Sequence, residues 1–183
     1  KGEQSVEGDW SNAAFFMVGA AIGKSKITYT NLNNNSLQGD KAVVDILRNM
    51  GACIENSGSI YEVEGKTLKA STIDAKPIPD LVPILSLAAA VAEGETVIYN
   101  AERLRIKESD RLKTVYETLN SLGADIEEKA DGLVIRGVDK LKGGEVSSFN
   151  DHRIAMMAGI AAIVCGKEVT ILPPESLVFL HPF

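Results

Sequence analysis

The densest chemistry in the chain lies in seven residues, Arg105-Ile106-Lys107-Glu108-Ser109-Asp110-Arg111. Five of the seven are charged, with both signs interleaved, between an apolar strand-like run and an amphipathic helix where a connection needs only a turn. A lysine beside a glutamate lets opposite charges tune each other's protonation, as acid–base work near neutral pH requires. Arginine adds a planar fork that makes paired hydrogen bonds to carboxylate and phosphate oxygens. A second polar knot, Asn150-Asp151-His152-Arg153, introduces another helix. Helix N-termini favour anions through their free N–H groups and dipole, so two such clusters predict a site for an anionic, phosphorylated ligand. Plainer readings stand beside this one. A charge run is usually a solvated loop, Arg111 could form a surface salt bridge with Glu108 or Asp110, and a lone histidine is more often structural.

The elements that must position these residues repeat. Asp9, Asp80 and Asp151 are spaced 71 residues apart, and each precedes an almost wholly apolar run: 13–22, 81–92 and 154–164. Aspartate is a good N-cap, so all three are expected to cap the helices that follow. Each run ends at a glycine (Gly23, Gly94, Gly166) and leads into a β-rich segment at 26–29, 96–99 or 168–171. Helices apolar on all sides must be buried on all sides, so the three are expected to share one core. Apolar stripes Ala42-Val43-Ile46-Leu47-Met50 and Leu112-Val115-Leu119-Leu122 predict a second helix per repeat, ending at Gly51 and Gly123. Short strands at 60–63 and 133–135 follow. Residues 9–79 and 80–150 make two copies and 151–183 a partial third, which would leave apolar surface bare and favour self-association. The asparagine-rich stretch 31–35 reads as a turn without chemistry.

At 183 residues the chain can form one domain with a real core. Its hydrophobic fraction of 45% and charged fraction of 24% are those of a globular protein. A net charge of −6 argues against a nucleic-acid partner. No uninterrupted apolar run has membrane-spanning length and no signal peptide opens the chain, so a cytoplasmic setting is expected. Cys53 and Cys165 lie far apart without metal-ligand spacing and read as reduced thiols.

Together, Arg105–Arg111, Asn150-Asp151-His152-Arg153-Ile154-Ala155-Met156, Ile78-Pro79-Asp80 and Val6-Glu7-Gly8-Asp9 resemble the signatures of the 5-enolpyruvylshikimate-3-phosphate synthase family. The likeness runs in order from Val6 to about Pro174. It implies an α/β (α+β) fold of repeated βαβαββ units packed around buried parallel helices, the enolpyruvyl transferase-like fold. It also implies that residues 1–183 form most of the C-terminal half of a monomeric two-domain enzyme, whose N-terminal domain and final helix lie outside the sequence. The implied reaction moves the enolpyruvyl group of phosphoenolpyruvate to the 5-hydroxyl of shikimate 3-phosphate, releasing phosphate in aromatic amino acid synthesis. No metal or organic cofactor takes part, and glyphosate competes for the phosphoenolpyruvate site.

The resemblance assigns roles residue by residue. Asp80 matches the aspartate that contacts the shikimate hydroxyl as base or orienting group. Glu108 matches the glutamate that exchanges a proton with the methylene carbon, and Lys107 the lysine touching phosphoenolpyruvate and the reacting hydroxyl. Arg111 and Arg153 match arginines that clamp the phosphoenolpyruvate carboxylate and phosphate. His152 would support Arg153 or the intermediate, Asp151 would cap its helix and orient an arginine, and Arg103 would lie near the glyphosate pocket. One departure stands out: Phe179 falls where the family carries a phosphate-binding lysine, and a phenyl ring cannot replace an ammonium. The chain alone is expected to be inactive. The competing readings are UDP-N-acetylglucosamine enolpyruvyl transferase, which shares the repeat, and a non-catalytic repeat module.

Overall fold

The computed structural model describes residues 6–173; Phe179 lies outside them. Three helices, α1 (Trp10–Ile22), α3 (Val82–Ala90) and α5 (His152–Ala161), pack against one another in a triangle. These are the apolar runs expected from the sequence. Every residue of α3 is buried. Its one polar side chain, Ser86, donates its hydroxyl to the Val82 carbonyl at 2.8 Å, so nothing polar is left unmatched there. The other two are not covered all round. Phe16 on α1 is 55% exposed, and Ile163, in the 3₁₀ turn after α5, is 52% exposed. The expectation of complete burial therefore holds for α3 alone, which has the other two helices, β5, β7 and α4 packed against it.

The outer layer is sheet and amphipathic helix. β1 (Lys26–Tyr29), β2 (Cys53–Ser57) and β3 (Ile60–Glu64) form an antiparallel sheet in the order β1-β3-β2. A four-stranded sheet follows in the order β4-β5-β7-β6, from β4 (Thr72–Asp74), β5 (Glu95–Tyr99), β6 (Asp125–Lys129) and β7 (Gly132–Arg136). Its β4–β5 pair is parallel. β8 (Gly144–Ser147) and β9 (Val169–Leu172) make a parallel pair. The run β4-α3-β5-α4-β6-β7 is thus one βαβαββ unit on a single sheet. β4 belongs to the second sheet although it lies within 9–79, and β8 pairs with β9 although it lies within 80–150. The second and third sheets each start one strand before their buried helix, β4 before α3 and β8 before α5, so a frame set by the helices cuts across them.

The second helices, α2 (Val43–Asn49) and α4 (Arg111–Ser121), end at Gly51 and Gly123, with φ of +102° and +91°. Side chains rarely adopt that left-handed region, which is why glycine stops both helices. On α4 the inward face is Leu112, Val115 and Leu119, joined by Arg111, Thr114 and Thr118. A buried arginine opening an amphipathic helix is the feature that leads to the site.

Candidate active site

The three inner helices bring their N-terminal ends together, but their entrances differ. Asp9 precedes α1 with extended backbone and accepts hydrogen bonds from the amides of Ser11, at 2.8 Å, and Asn12, at 3.2 Å. Asp151 precedes α5 and accepts from the Arg153 amide at 3.0 Å. Both are N-caps, as expected. Asp80 is not. Ile78 and Pro79 lead into a 3₁₀ turn, Pro79–Leu81, and Asp80 sits inside it and makes no capping hydrogen bond. A residue within the turn has already left the extended conformation a cap needs. Its carboxylate turns instead to three cations.

Oδ1 of Asp80 lies 2.7 Å from Nη1 of Arg111, 3.5 Å from Nζ of Lys107 and 3.6 Å from Nε of Arg153. Burial works to raise the Asp80 pKa, but Arg153, Lys107 and Arg111 together outweigh it and hold the carboxyl below its ordinary value. The group is therefore ionised near neutral pH, an acceptor waiting for a proton donor.

Arg111 is the centre of the cluster, with a side chain only 1% exposed. Nε donates to Oδ2 of Asp151 at 2.7 Å, Nη1 to Asp80, and Nη2 to Glu108. Asp151 is fully buried; its Oδ2 also accepts the Ser109 hydroxyl at 2.9 Å. Burial pushes the Asp151 carboxyl up, yet the Arg111 and Ser109 hydrogen bonds and the Arg153 amide bring it below its ordinary value. Breaking such a buried pair strands a charge and costs about 3–5 kcal/mol. Asp151 thus both caps its helix and fixes an arginine. The inner edge of Arg111 is locked, while its outer edge holds Asp80 and Glu108, which are 31% and 52% exposed. The expected Arg111–Glu108 pair exists, but as part of a buried network rather than a surface salt bridge.

Asp110 pairs elsewhere. It caps α4 through the Lys113 amide and binds Arg105 at 3.0 Å. Arg105 also donates to Glu128, at 2.8 Å, and to the carbonyls of Lys129 and Ala130, clipping the loop to the β6–β7 turn. That arginine is structural. Arg153 reaches the opposite way, with Nη2 donating to Oγ of Ser11 at 3.2 Å. Its Nη1 is buried without a hydrogen-bond partner among the described residues, a donor that an anion's oxygen would satisfy. Arg103 is exposed and His152 half-buried, and neither makes a hydrogen bond or ion pair among the described residues. Ser11 and Ser109, which bond to Arg153 and Asp151, were given no role from the sequence, although Ser109 lies inside the 105–111 motif. No group of three His, Cys, Asp or Glu side chains among the described residues is placed to hold a metal ion.

A pseudo-repeated α/β domain that gathers lysine, arginine and carboxylate at three helix entrances defines a class, and solved structures identify it. An EPSP synthase from Acinetobacter baumannii superposes with a TM-score of 0.86 at 34% identity, covering 97% of this chain and 44% of that one. The fold is the enolpyruvyl transferase fold. Residues 1–178 match the model of the family EPSP synthase (3-phosphoshikimate 1-carboxyvinyltransferase), and the chain belongs to that family. A 3-phosphoshikimate 1-carboxyvinyltransferase of Clostridium acetobutylicum is 51% identical over 177 residues, covering 97% of this chain and 41% of its own length. One from Methanocaldococcus jannaschii is 44% identical over 97% of this chain and 42% of its own length. The chain thus spans about two-fifths of the curated relatives it matches.

Proposed function

We propose that this chain supplies the Asp80–Lys107–Glu108–Arg153 face of an enzyme that transfers the enolpyruvyl group of phosphoenolpyruvate to the 5-hydroxyl of shikimate 3-phosphate. The observation that carries the reading is Asp80. Its carboxylate is released from capping and sits ionised among Arg111, Lys107 and Arg153. Asp80 would accept the proton of the attacking hydroxyl, and Lys107 would steady the same oxygen. Glu108 in its acid form would protonate the methylene carbon while the hydroxyl oxygen bonds to the adjacent carbon, giving a tetrahedral intermediate. Return of that proton to Glu108 and departure of phosphate would then restore the carbon–carbon double bond and give the product enol ether. Arg153, through an Nη1 that has no partner among the described residues, and the outer edge of Arg111 would hold carboxylate and phosphate oxygens. Arg111 would also set the spacing of Asp80 and Glu108.

Half of such a site would come from a facing domain whose closure excludes water, so the chain alone is expected to be inactive. The test is phosphate release by this chain joined to the preceding half that the family pattern implies. Shikimate 3-phosphate and UDP-N-acetylglucosamine serve as rival acceptors. Turnover is expected with the first only. Glu108→Gln and Asp80→Ala should each lower kcat by about 100-fold or more, the scale of positioned acid–base catalysis. Turnover with the nucleotide sugar, or none with either acceptor by a folded protein, would overturn the reading.

A further inference from the structure

The 71-residue period aligns Ser11, Val82 and Arg153, each two residues past its repeat's aspartate. The first and third of these meet. Nη2 of Arg153 donates to Oγ of Ser11 at 3.2 Å. Ser11 is only 8% exposed, and its own hydroxyl proton goes to Oδ1 of Asp9 at 2.8 Å, which leaves its lone pairs for the guanidinium. Nε of Arg153 lies 3.6 Å from Oδ1 of Asp80, within ion-pair reach but too far for a hydrogen bond. Its Nη1 is buried with no partner among the described residues. Arg111 shows what the same edge does when a carboxylate closes on it. There Nε and Nη2, which share one side of the planar group, both point at Asp151, at 2.7 and 3.4 Å. On Arg153 that edge is split: Nε looks to Asp80, and a serine takes the place of the second carboxylate oxygen.

We infer that Ser11 is a positioning residue: its hydroxyl holds Arg153 off Asp80 and so keeps the guanidinium available to an anionic ligand. The inference rests on the reading of this cluster as an anion site. The reason is competition. A guanidinium and a carboxylate favour a fork of two parallel hydrogen bonds. In such a fork Arg153 would spend on Asp80 the donors that a ligand's carboxylate or phosphate needs. Anchoring Nη2 on a hydroxyl blocks half of the fork, and a neutral acceptor adds no charge to repel the ligand. The hydroxyl is also separable from the helix cap, because the amides of Ser11 and Asn12 bond to Asp9 whether or not it is present. Without Asp9 the hydroxyl would still offer lone pairs to Arg153. The first repeat therefore contributes to the site through Ser11, although its aspartate serves the helix.

Sulfate is the probe, titrated calorimetrically into the chain near neutral pH. Ser11→Ala should weaken binding about fivefold, the worth of one hydrogen bond. Ser11→Thr, which keeps the hydroxyl, should restore most of that affinity. The carbon resonance of the Asp80 carboxyl should titrate at lower pH in Ser11→Ala, because a closer Arg153 favours its ionised form. In an Asp80→Ala chain there is no carboxylate to close upon, so adding Ser11→Ala should change sulfate affinity by less than about twofold. Unchanged affinity in Ser11→Ala, or an equal loss with and without Asp80, would overturn this inference alone. Absence of sulfate binding by the folded, unaltered chain would overturn the anion-site reading, and the inference with it.

Discussion

Asp9 and Asp80 begin equivalent helices 71 residues apart, yet they do different work. Asp9 spends its carboxylate on the first turn of α1, where Ser11 and Asn12 donate to it. Asp80, placed one step inside a proline-led 3₁₀ turn, keeps no bond to its own helix and meets Arg111, Lys107 and Arg153. A repeat supplies the same residue at the same period, but the local backbone decides whether that residue serves the helix or the site. The first repeat's aspartate caps its helix and the second's faces three cations, because Asp80 lies inside the 3₁₀ turn Pro79–Leu81 rather than before it.

The strongest way to break this contrast is to remove what holds the second entrance together. Arg111→Ala should destabilise the domain by about 3–5 kcal/mol, because the fully buried Asp151 would lose its counter-charge. Urea denaturation measures it, and a loss under 1 kcal/mol would mean that the network is ornamental. Next in size is the direct comparison of the two aspartates. Asp9→Ala should cost about 1 kcal/mol, the worth of an N-cap, and change sulfate affinity little. Asp80→Ala loses no cap and removes an anion from among three cations. It should tighten sulfate binding several-fold, and weaker binding would contradict the picture.

Acid sharpens the comparison further. Asp80 and Asp151 have folded-state pKa values below the ordinary 3.8, so the stability they contribute is present above that value and lost as pH falls below it. In Asp80→Asn the stability lost between pH 4 and 2 should be smaller than in the unaltered chain. Asp40 has the opposite sign: with a raised pKa its ionised form is disfavoured in the folded domain, a cost present at neutral pH and relieved as pH falls. Asp40→Asn should therefore raise Tm at pH 7, by about 2 °C or less. A lower Tm would show that Asp40 has a stabilising partner.

Much of the architecture could be read in the chain before any coordinates. The apolar runs after Asp9, Asp80 and Asp151 became α1, α3 and α5, and the stripes ending at Gly51 and Gly123 became α2 and α4. Periodicity and glycine stops are local signals, and local signals survive in sequence. β4 was missed because Thr72–Asp74 is only three residues long and becomes a strand by pairing with β5. The motif at 105–111 pointed to residues that the structure gathers into one charged cluster, but it did not separate its members. Arg105 and Arg111 look alike in sequence. One clips a loop to the β6–β7 turn, while the other sits buried between three carboxylates.

By itself, then, the sequence determined the repeat, the buried helices, the second helices and the two charged knots, since each follows from spacing and residue type within a short window. Only the tertiary structure decided which aspartate is free and which arginine is locked. It also left Nη1 of Arg153 buried without a hydrogen-bond partner among the described residues. Those outcomes depend on which helix ends meet and how far each carboxylate is buried, and distances between remote segments are set by packing.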